Sequence, residues 1–402
     1  MLRYLWVDMN SYFASVEQQE SPALRGRAIG VVPMRTDTTC IIAASYEAKA
    51  RGVKTGTRVL DARRLCPGIV LVEARPDVYV EYHHRIVAAV ESCLPVQRVC
   101  SIDEMYGRLL SNEREPEIAA AIAHEVKAAI RRIVGESMRC SIGLAPNPWL
   151  SKVAADMQKP DGLTMILPEQ LPEAIQVLEL TDLPGIGSAM ERRLNERSIH
   201  HVHQLCRMSE TELSAVWGSK VHGAIWFQQL RGVDLPFRPT HRRNVGHSHV
   251  LPPMLRTIDC ARAVIVRMIH KAAARMRRLC YAAGEMSVTV ACLNAPKWHR
   301  RAILNQTRDT LTMLRALESL WVPPLPGHPF KVAVDLSALT ADQSATLPLF
   351  TGQENLDRLA VAMDRIDAKH GRHTIFFGGM FGMKDAAPTR ISFTCIPGMD
   401  EF

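Results

Sequence analysis

Three carboxylates stand where carboxylates are costly. Asp8 ends a short apolar run, residues 2–7, and Asp103 and Glu104 sit between two further runs, 96–100 and 105–110. An acid at a strand end is unfavourable unless it is solvated or binds a cation. Mg²⁺ takes hard oxygen ligands, commonly one or two carboxylates together with substrate phosphates. Two such ions can hold the attacking and leaving oxygens of a phosphoryl transfer. Neighbouring residues on a regular strand point to opposite faces, so Asp103 and Glu104 share a site only where a turn breaks the alternation. On spacing alone, exposed turn carboxylates are the commoner explanation.

The elements that must position these acids can be read from the pattern. Residues 2–7 predict a strand, then a helix that Asn10 or Ser11 can cap, with Tyr12, Phe13 and Val16 on its buried side. Residues 28–32 predict a second strand, and 41–46 lead into a short helix at 47–50. A helix at 84–93 precedes a hairpin, 96–100 with 105–110, around the acidic pair. A long alanine-rich helix at 116–133 and a strand at 139–144 follow. Alternating elements with a central hairpin imply an α+β sheet with helices on one face. Residues 169–230 are helical in pattern, broken at Leu183-Pro184-Gly185-Ile186-Gly187. Beyond a tether at 238–245, strands and helices follow the order of a βαββαβ unit, with helices at 259–278 and 307–320. Residues 337–346 are small and polar and predict a linker.

Composition narrows the partners. Of 402 residues, 47% are apolar and 22% charged, which excludes wholesale disorder. No apolar run approaches the roughly 18 residues of a membrane span, and the first residues are charged too soon for a secretory signal. Ten cysteines without a CxxC pair speak against a zinc ribbon or disulfide scaffold and fit a reducing, cytoplasmic setting. The net charge of +8 is unevenly placed. Residues 238–308 hold 14 Lys/Arg against Asp259 and Glu285, a local +12, and leave 35 basic against 39 acidic residues elsewhere. So local an excess points to phosphate backbones, with nucleic acid a better fit than membrane.

The peptide context around the acids is specific. Asp8-Met9-Asn10-Ser11-Tyr12-Phe13-Ala14-Ser15-Val16-Glu17 resembles the first motif of Y-family translesion DNA polymerases, and Ser101-Ile102-Asp103-Glu104 their second acidic motif. Ala44-Ser45-Tyr46-Glu47-Ala48-Lys49 with Gly52-Val53-Lys54 resembles the fingers motif. Ser141-Ile142-Gly143-Leu144-Ala145 and Ala154 to Gly162 resemble the late-palm motif. Four motifs in order cover about residues 1–340. The resemblance implies a right-hand polymerase: palm at 1–11 and 75–165, fingers at 12–74, thumb at 166–237, tether at 238–245 and little finger at 246–338. Residues 339–402 would hold a linker, a clamp-binding peptide and a UmuC-like C-terminal extension.

It also implies roles. Asp8 and Asp103 would bridge two Mg²⁺ ions (with Mn²⁺ as a substitute), the Met9 carbonyl would assist, and Glu104 would hold the ion at the primer 3′-hydroxyl. The amides of Asn10, Ser11, Tyr12 and Phe13, at a helix N-terminus, would seat the triphosphate. Tyr46, Lys49 and Lys159 would reach its phosphates. Phe13 matches the steric gate that excludes a ribose 2′-hydroxyl, although core packing alone would explain Phe13 and Tyr46. Gly185 and Gly187 lie in a helix-hairpin-helix-like turn whose amides can approach DNA phosphates. Arg242, Arg243, Lys297, Arg300 and Arg301 are the foremost little-finger candidates for DNA contact, ahead of the helical Lys271, Arg275, Arg277 and Arg278. Three positions depart from the pattern. Lys49 replaces a common Arg and loses its bidentate grip. Ala43 replaces a hydroxyl, and Asn147-Pro148-Trp149 replaces an Asn-Lys pair.

Leu347, Leu349 and Phe350, in Thr346-Leu-Pro-Leu-Phe, resemble the peptide that holds the bacterial sliding clamp. The extension, with an expected helix at 354–370, could dock a UmuD-like subunit or a recombinase filament, or pack internally. The expected partners are therefore primer-template DNA, deoxynucleoside triphosphates and the clamp. A different class, a silent ImuB-like adaptor, is disfavoured because such relatives lose the metal acids and all three are present here.

Overall fold

Strand β1 (Tyr4–Met9) is buried at all six positions, so both faces of its sheet must be covered. A computed structural model describes residues 1–402 other than 237–240, 323–324, 342–350, 392–395 and 399–402. The chain divides into two units, residues 1–237 with 389–402, and residues 238–388.

In the first unit β1 leads into α1 (Tyr12–Glu20). A small three-stranded sheet follows, where the sequence places the fingers, in which β2 (Ile29–Val32) pairs antiparallel with β3 (Ala43–Ala44) and parallel with β4 (Val70–Glu73). Between β3 and β4 run α2 (Tyr46–Lys49) and α3 (Val59–Leu65). Helix α4 (Pro76–Glu91) returns the chain to the sheet of β1, called the palm below after the sequence expectation, where β5 (Val96–Val99) and β6 (Glu104–Arg108) form the expected hairpin. Then come α5 (Pro116–Ile133), β7 (Cys140–Ala145), α6 (Pro148–Met157) and β8 (Leu163–Met165). The palm order is β5–β6–β1–β7–β8, with β1 antiparallel to both neighbours.

Helices cover both palm faces, not the one expected. Leu5, Val7 and Met9 join the core with residues of α4 and α5, whereas Tyr4 and Trp6 cluster with Tyr106 and Ala155 of α6. A strand apolar at successive positions cannot leave a face wet. Helix α6 rides so close to β7 that a Cβ on Gly143 would fall 2.0 Å from the Ser151 carbonyl oxygen. Strand β1 also runs past its apolar stretch, so Asp8 lies inside it. The thumb helices are α7 (Glu173–Gln176), α8 (Ser188–Asn195), α9 (Val202–Arg207), α10 (Glu210–Trp217) and α11 (Lys220–Gln229). Their core takes in Leu150 and Val153 of α6.

The second unit has the expected βαββαβ order: β9 (Asn244–Val250), α12 (Ile258–Arg278), β10 (Tyr281–Cys292), β11 (Trp298–Thr307), α13 (Thr310–Leu320) and β12 (Pro329–Ala341). Its antiparallel sheet is ordered β11–β10–β12–β9. Residues 337–341, expected as linker, are the end of β12, with Ala341 opposite Tyr281. Small polar side chains are no obstacle to a strand whose backbone bonds are made and whose outer face is open. Helix α14 (Thr351–His370) confirms the expected tail helix. Asp364 ties it to α12 through two bonds from Arg277, at 2.6 and 2.8 Å. Phe376, Met380, Met383 and Ala387 then pack on the same core.

Residues 389–398 belong to the first unit again. Ile391 and Ile396 pack against the palm core, and Arg390 Nη2 donates to the Pro33 carbonyl at 3.1 Å. Within the tail, Phe376 to Ala387 and Ile391 and Ile396 thus pack internally, while α14 leaves Leu359 and Ile366 exposed. Nine cysteines, all those in described residues, are free. Among the described residues no helix is long and apolar enough to cross a membrane. Leu347, Leu349 and Phe350 lie outside the described residues.

Candidate active site

Register brings two of the acids together. Asp8 on β1 is the direct partner of Glu104, the first residue of β6. Asp103 precedes the strand, in the bend that frees it from the alternation, and its carbonyl accepts from the Met9 amide at 2.9 Å. Its carboxylate accepts from the Ser101 hydroxyl at 2.6 Å. Met9, the last residue of β1, has its side chain in the core.

Two lysines answer these acids. Lys152 and Asp156 lie one turn apart on α6, on the face turned to β1. The Lys152 ammonium bonds Asp8 Oδ2, lies 2.6 Å from Glu104 Oε1 and reaches Asp156 Oδ1 at 3.0 Å. Lys159 takes the other Asp8 oxygen, Oδ1, at 2.8 Å, and Asp156 Oδ1 at 2.8 Å. Burial works to raise the Asp8 carboxyl, yet Lys152 and Lys159 together hold it below the usual carboxylate range. Burial wins at the other two: it raises Asp103 against the Ser101 hydrogen bond and pushes Glu104 up to about 7 against the pull of Lys152.

The fingers complete the ring. Ser45 caps α2 by accepting from the Ala48 amide, which places Tyr46 and Lys49 one turn apart. The Lys49 ammonium lies 4.4 Å from the centre of the Tyr46 ring. Burial and then Lys159 lower the Lys49 pKa, and Asp8 acts the other way, so both lysines and the acid share one electrostatic environment.

The residues after β1 divide sharply. Asn10 is 2% exposed. Its side chain donates to Ser141 Oγ at 3.1 Å and accepts from the Asp161 amide at 2.7 Å, while its own amide donates to the Arg139 carbonyl. It is a clasp between β1, β7 and the 158–162 turn, with its side chain and amide both engaged. Neither Asn10 nor Ser11 caps α1 through its side chain, and Ser11 takes the left-handed conformation, φ 48°. The first-turn amides of α1 have no partners within the helix, as at any helix start. Tyr12 is core, its hydroxyl donating to the Tyr79 carbonyl. Phe13 is half-buried and stacks on Tyr79, ring centres 4.4 Å apart. Tyr79 in turn donates to Glu17 at 2.8 Å, and Arg75 grips the same carboxylate at 2.7 and 3.1 Å.

Comparison with known proteins bears on the family. Residues 7–156 match the impB/mucB/samB family, and residues 181–234 match the thumb domain of DNA polymerase iota. DNA polymerase IV of Pelotomaculum thermopropionicum is 32% identical over 388 residues, covering 92% of this chain and 93% of that protein. DNA polymerase IV of Moorella thermoacetica is 33% identical over 387 residues, covering 92% and 94%. The chain belongs to the Y family of DNA polymerases. Among solved structures, a chimeric Y-family DNA polymerase built from Dbh and Dpo4 superimposes with a TM-score of 0.71 over 84% of this chain and 99% of that one, at 23% identity. That likeness concerns the fold. Coverage of 92% cannot fit within the first 340 residues, so the likeness to the polymerase IV proteins enters the tail.

In this DNA-directed DNA polymerase the other sequence candidates take the following places. Gly185 has φ +100°, and a Cβ there would meet Trp226 at 3.2 Å, so glycine is required. Gly187 is the N-cap of α8 in extended backbone with open space around it, and no such requirement applies. The Pro184 carbonyl accepts from Trp149 Nε1 at 2.9 Å, and Trp149 meets Trp226 edge-on. The Trp149 departure therefore ties α6 to the thumb turn. In the second unit Arg242, Arg243, Lys297, Arg300 and Arg301 are all exposed. Arg300 and Arg301 are consecutive on β11, so they point to opposite faces. Arg301, opposite Ser287, lies on the open face with His299 and the 85% exposed Ile303, while Arg300 lies beside Trp298. Arg277 is taken up by Asp364 and by the Arg308 carbonyl.

Sequence reasoning missed Lys152 and Asp156. Their signal was present in the one-turn spacing of a cation and an anion on the helix that ends just before Lys159-Pro160. Among the described residues no group of three acid, His or Cys side chains stands ready to hold a metal ion. Lys152 lies between two of the candidates instead. The donor chemistry nevertheless fits a hard divalent cation, for Asp8, Asp103 and Glu104 offer only carboxylate oxygens and Glu104 is pushed to about 7 by burial.

Proposed function

We propose that this chain is a translesion polymerase of the polymerase IV type, extending a primer by deoxynucleotide transfer, opposite damaged templates included, with Asp8, Asp103 and Glu104 as its metal-holding acids. The observation that carries the reading is the convergence of Asp8, Glu104, Lys152, Lys159 and Asp156. Bound divalent ions, Mg²⁺ foremost, would lower the pKa of the primer 3′-hydroxyl and neutralise triphosphate charge. The chain's own residues do the rest by positioning and charge stabilisation. Lys159, Tyr46 and Lys49 bind the triphosphate from the fingers side, and the first-turn amides of α1 seat it at a helix N-terminus. Phe13, held flat on Tyr79, lies under the sugar and excludes a 2′-hydroxyl.

The thumb turn at Gly185 and the open face of the second unit, with Arg301 and the flanking Arg242, Arg243 and Lys297, hold the DNA backbone. Arg300 contributes from the edge beside Trp298. Dbh DNA polymerase, a structure of similar fold, is described as an insertion ternary complex, and DNA with nucleotide are the joint substrates of the present reading. Leu347, Leu349 and Phe350 would engage a sliding clamp. Primer extension with Mg²⁺ and all four deoxynucleotides tests the reading, first on an undamaged and then on a lesion-bearing template. Extension on both is expected. DNA binding without extension would return the choice to a silent adaptor.

A further inference from the structure

Asp8 has two oxygens and each is held by a different ammonium: Oδ2 by Lys152 and Oδ1 by Lys159. The two ammoniums are not equivalent. Lys159 reaches Asp8 and Asp156 only, whereas Lys152 also contacts Glu104, on the neighbouring strand. Asp8 and Glu104 are direct register partners and the Lys152 ammonium bridges Asp8 Oδ2 and Glu104 Oε1, so a cation bound between those two oxygens takes the place of that ammonium. The Lys152 side chain is 15% exposed and has a third anion, Asp156, one turn along its own helix. The long stem lets the ammonium swing while Asp156 keeps it paired.

We propose that Lys152 is a built-in counter-ion that a divalent metal must displace from between Asp8 and Glu104, and that Asp156 receives the displaced ammonium. The inference rests on the reading of Asp8 and Glu104 as metal-holding residues. It makes Lys152 a positioning residue that holds the acids in register before metal arrives. It also makes metal affinity a difference between two cations competing for the same oxygens. An incoming triphosphate, by offering Lys152 further anionic oxygens, would favour the exchange, so metal and nucleotide should bind with positive coupling.

The test is Mn²⁺ binding to the full chain without DNA or nucleotide, followed by electron paramagnetic resonance, with thermal melts in chelator and in Mn²⁺. Lys152→Met, which keeps length and removes charge, is expected to bind Mn²⁺ more tightly by roughly tenfold or more, the scale on which one neighbouring charge shifts an ionisation. It should also melt lower than wild type in chelator and recover more of that loss with Mn²⁺. Lys152→Arg should stay close to wild type. Asp156→Asn, which removes the receiving anion, should weaken Mn²⁺ binding. Unchanged or weaker Mn²⁺ binding by a folded Lys152→Met variant overturns the proposal. Asp8→Asn separates the two readings. If it leaves Mn²⁺ binding intact, the metal assignment itself fails. If it abolishes binding while Lys152→Met changes nothing, only the counter-ion proposal fails.

Discussion

The palm site and the open face of the second unit both handle charge, and they do so in opposite ways. In the palm, charges are buried and cross-paired, with Asp8 3% exposed and two lysines bonded to it. On β11 the cation is out in water, with the Arg301 side chain 69% exposed and, among the described residues, a long 3.4 Å contact to Glu285 as its ion pair. Removing one partner of a buried pair leaves an uncompensated charge and costs about 3–5 kcal/mol, while an exposed pair contributes roughly 0–1 kcal/mol. The palm is thus built for a few decisive contacts of fixed geometry. The sheet face offers exposed charges whose individual contacts are weak.

The sharpest way to break this comparison is Asp103→Ala. Incorporation should fall by on the order of a thousandfold or more, the scale on which a preorganised charged group acts in a transition state, with primer-template binding nearly unchanged. Parallel extension and binding titrations check this, and unaltered extension would remove Asp103 from the site. Next in size is Phe13→Ala, expected to admit ribonucleotides. Single-nucleotide kinetics with each sugar should show most of the discrimination lost, and Tyr79→Leu, which removes the ring beneath Phe13 together with the hydroxyl that bonds Glu17, should lose part of it.

On the sheet face the effects are smaller and depend on salt. Arg301→Ala should weaken DNA binding a few-fold and reduce the slope of log affinity against log salt by about 0.9, one phosphate contact. Arg300→Ala, on the other side of the strand, should do less. Equal effects would mean that DNA reaches the edge as well as the face.

The last prediction concerns pH and is read on stability. Burial, with Lys271, Arg275, Arg267 and Arg278 nearby, lowers the His247 pKa from 6.5 to about 3, and burial with Arg267, Arg277 and His373, opposed by Asp364, lowers His270 to about 4. Between pH 6.5 and those values the unfolded chain binds protons that the native second unit does not, so its stability falls as pH falls. Glu104 has the opposite sign. With its pKa raised to about 7, its own contribution becomes more favourable as pH drops from 7 towards 4.5. Hydrogen exchange at pH 7.5 and 5.0 should show the second unit loosening first, and His247→Gln with His270→Gln should flatten that response.

The two regions also differ in how far the sequence disclosed them. The βαββαβ order of the second unit could be read directly, because alternation and amphipathic period mark strands and helices locally. The palm acids could be read from their peptide contexts. What escaped was long-range. The cover that α6 gives the second palm face, and the bond of Lys152 to Asp8 across 144 positions, depend on which elements pack together. Asn10 could be placed in the first motif but not seen to be a clasp, since its partners Ser141 and Asp161 lie on elements far along the chain. The 337–341 stretch was misread because composition reports side chains, while pairing is a property of the backbone.

Residues 389–398 return to the first unit after the second is complete. During synthesis the unit that holds Asp8, Asp103 and Glu104 emerges first, yet the surface that Ile391 and Ile396 cover stays bare until the whole second unit has been made. Its last apolar contacts are added late, so a chain halted at residue 388 would hold all the acids and lysines of the site on an unfinished palm.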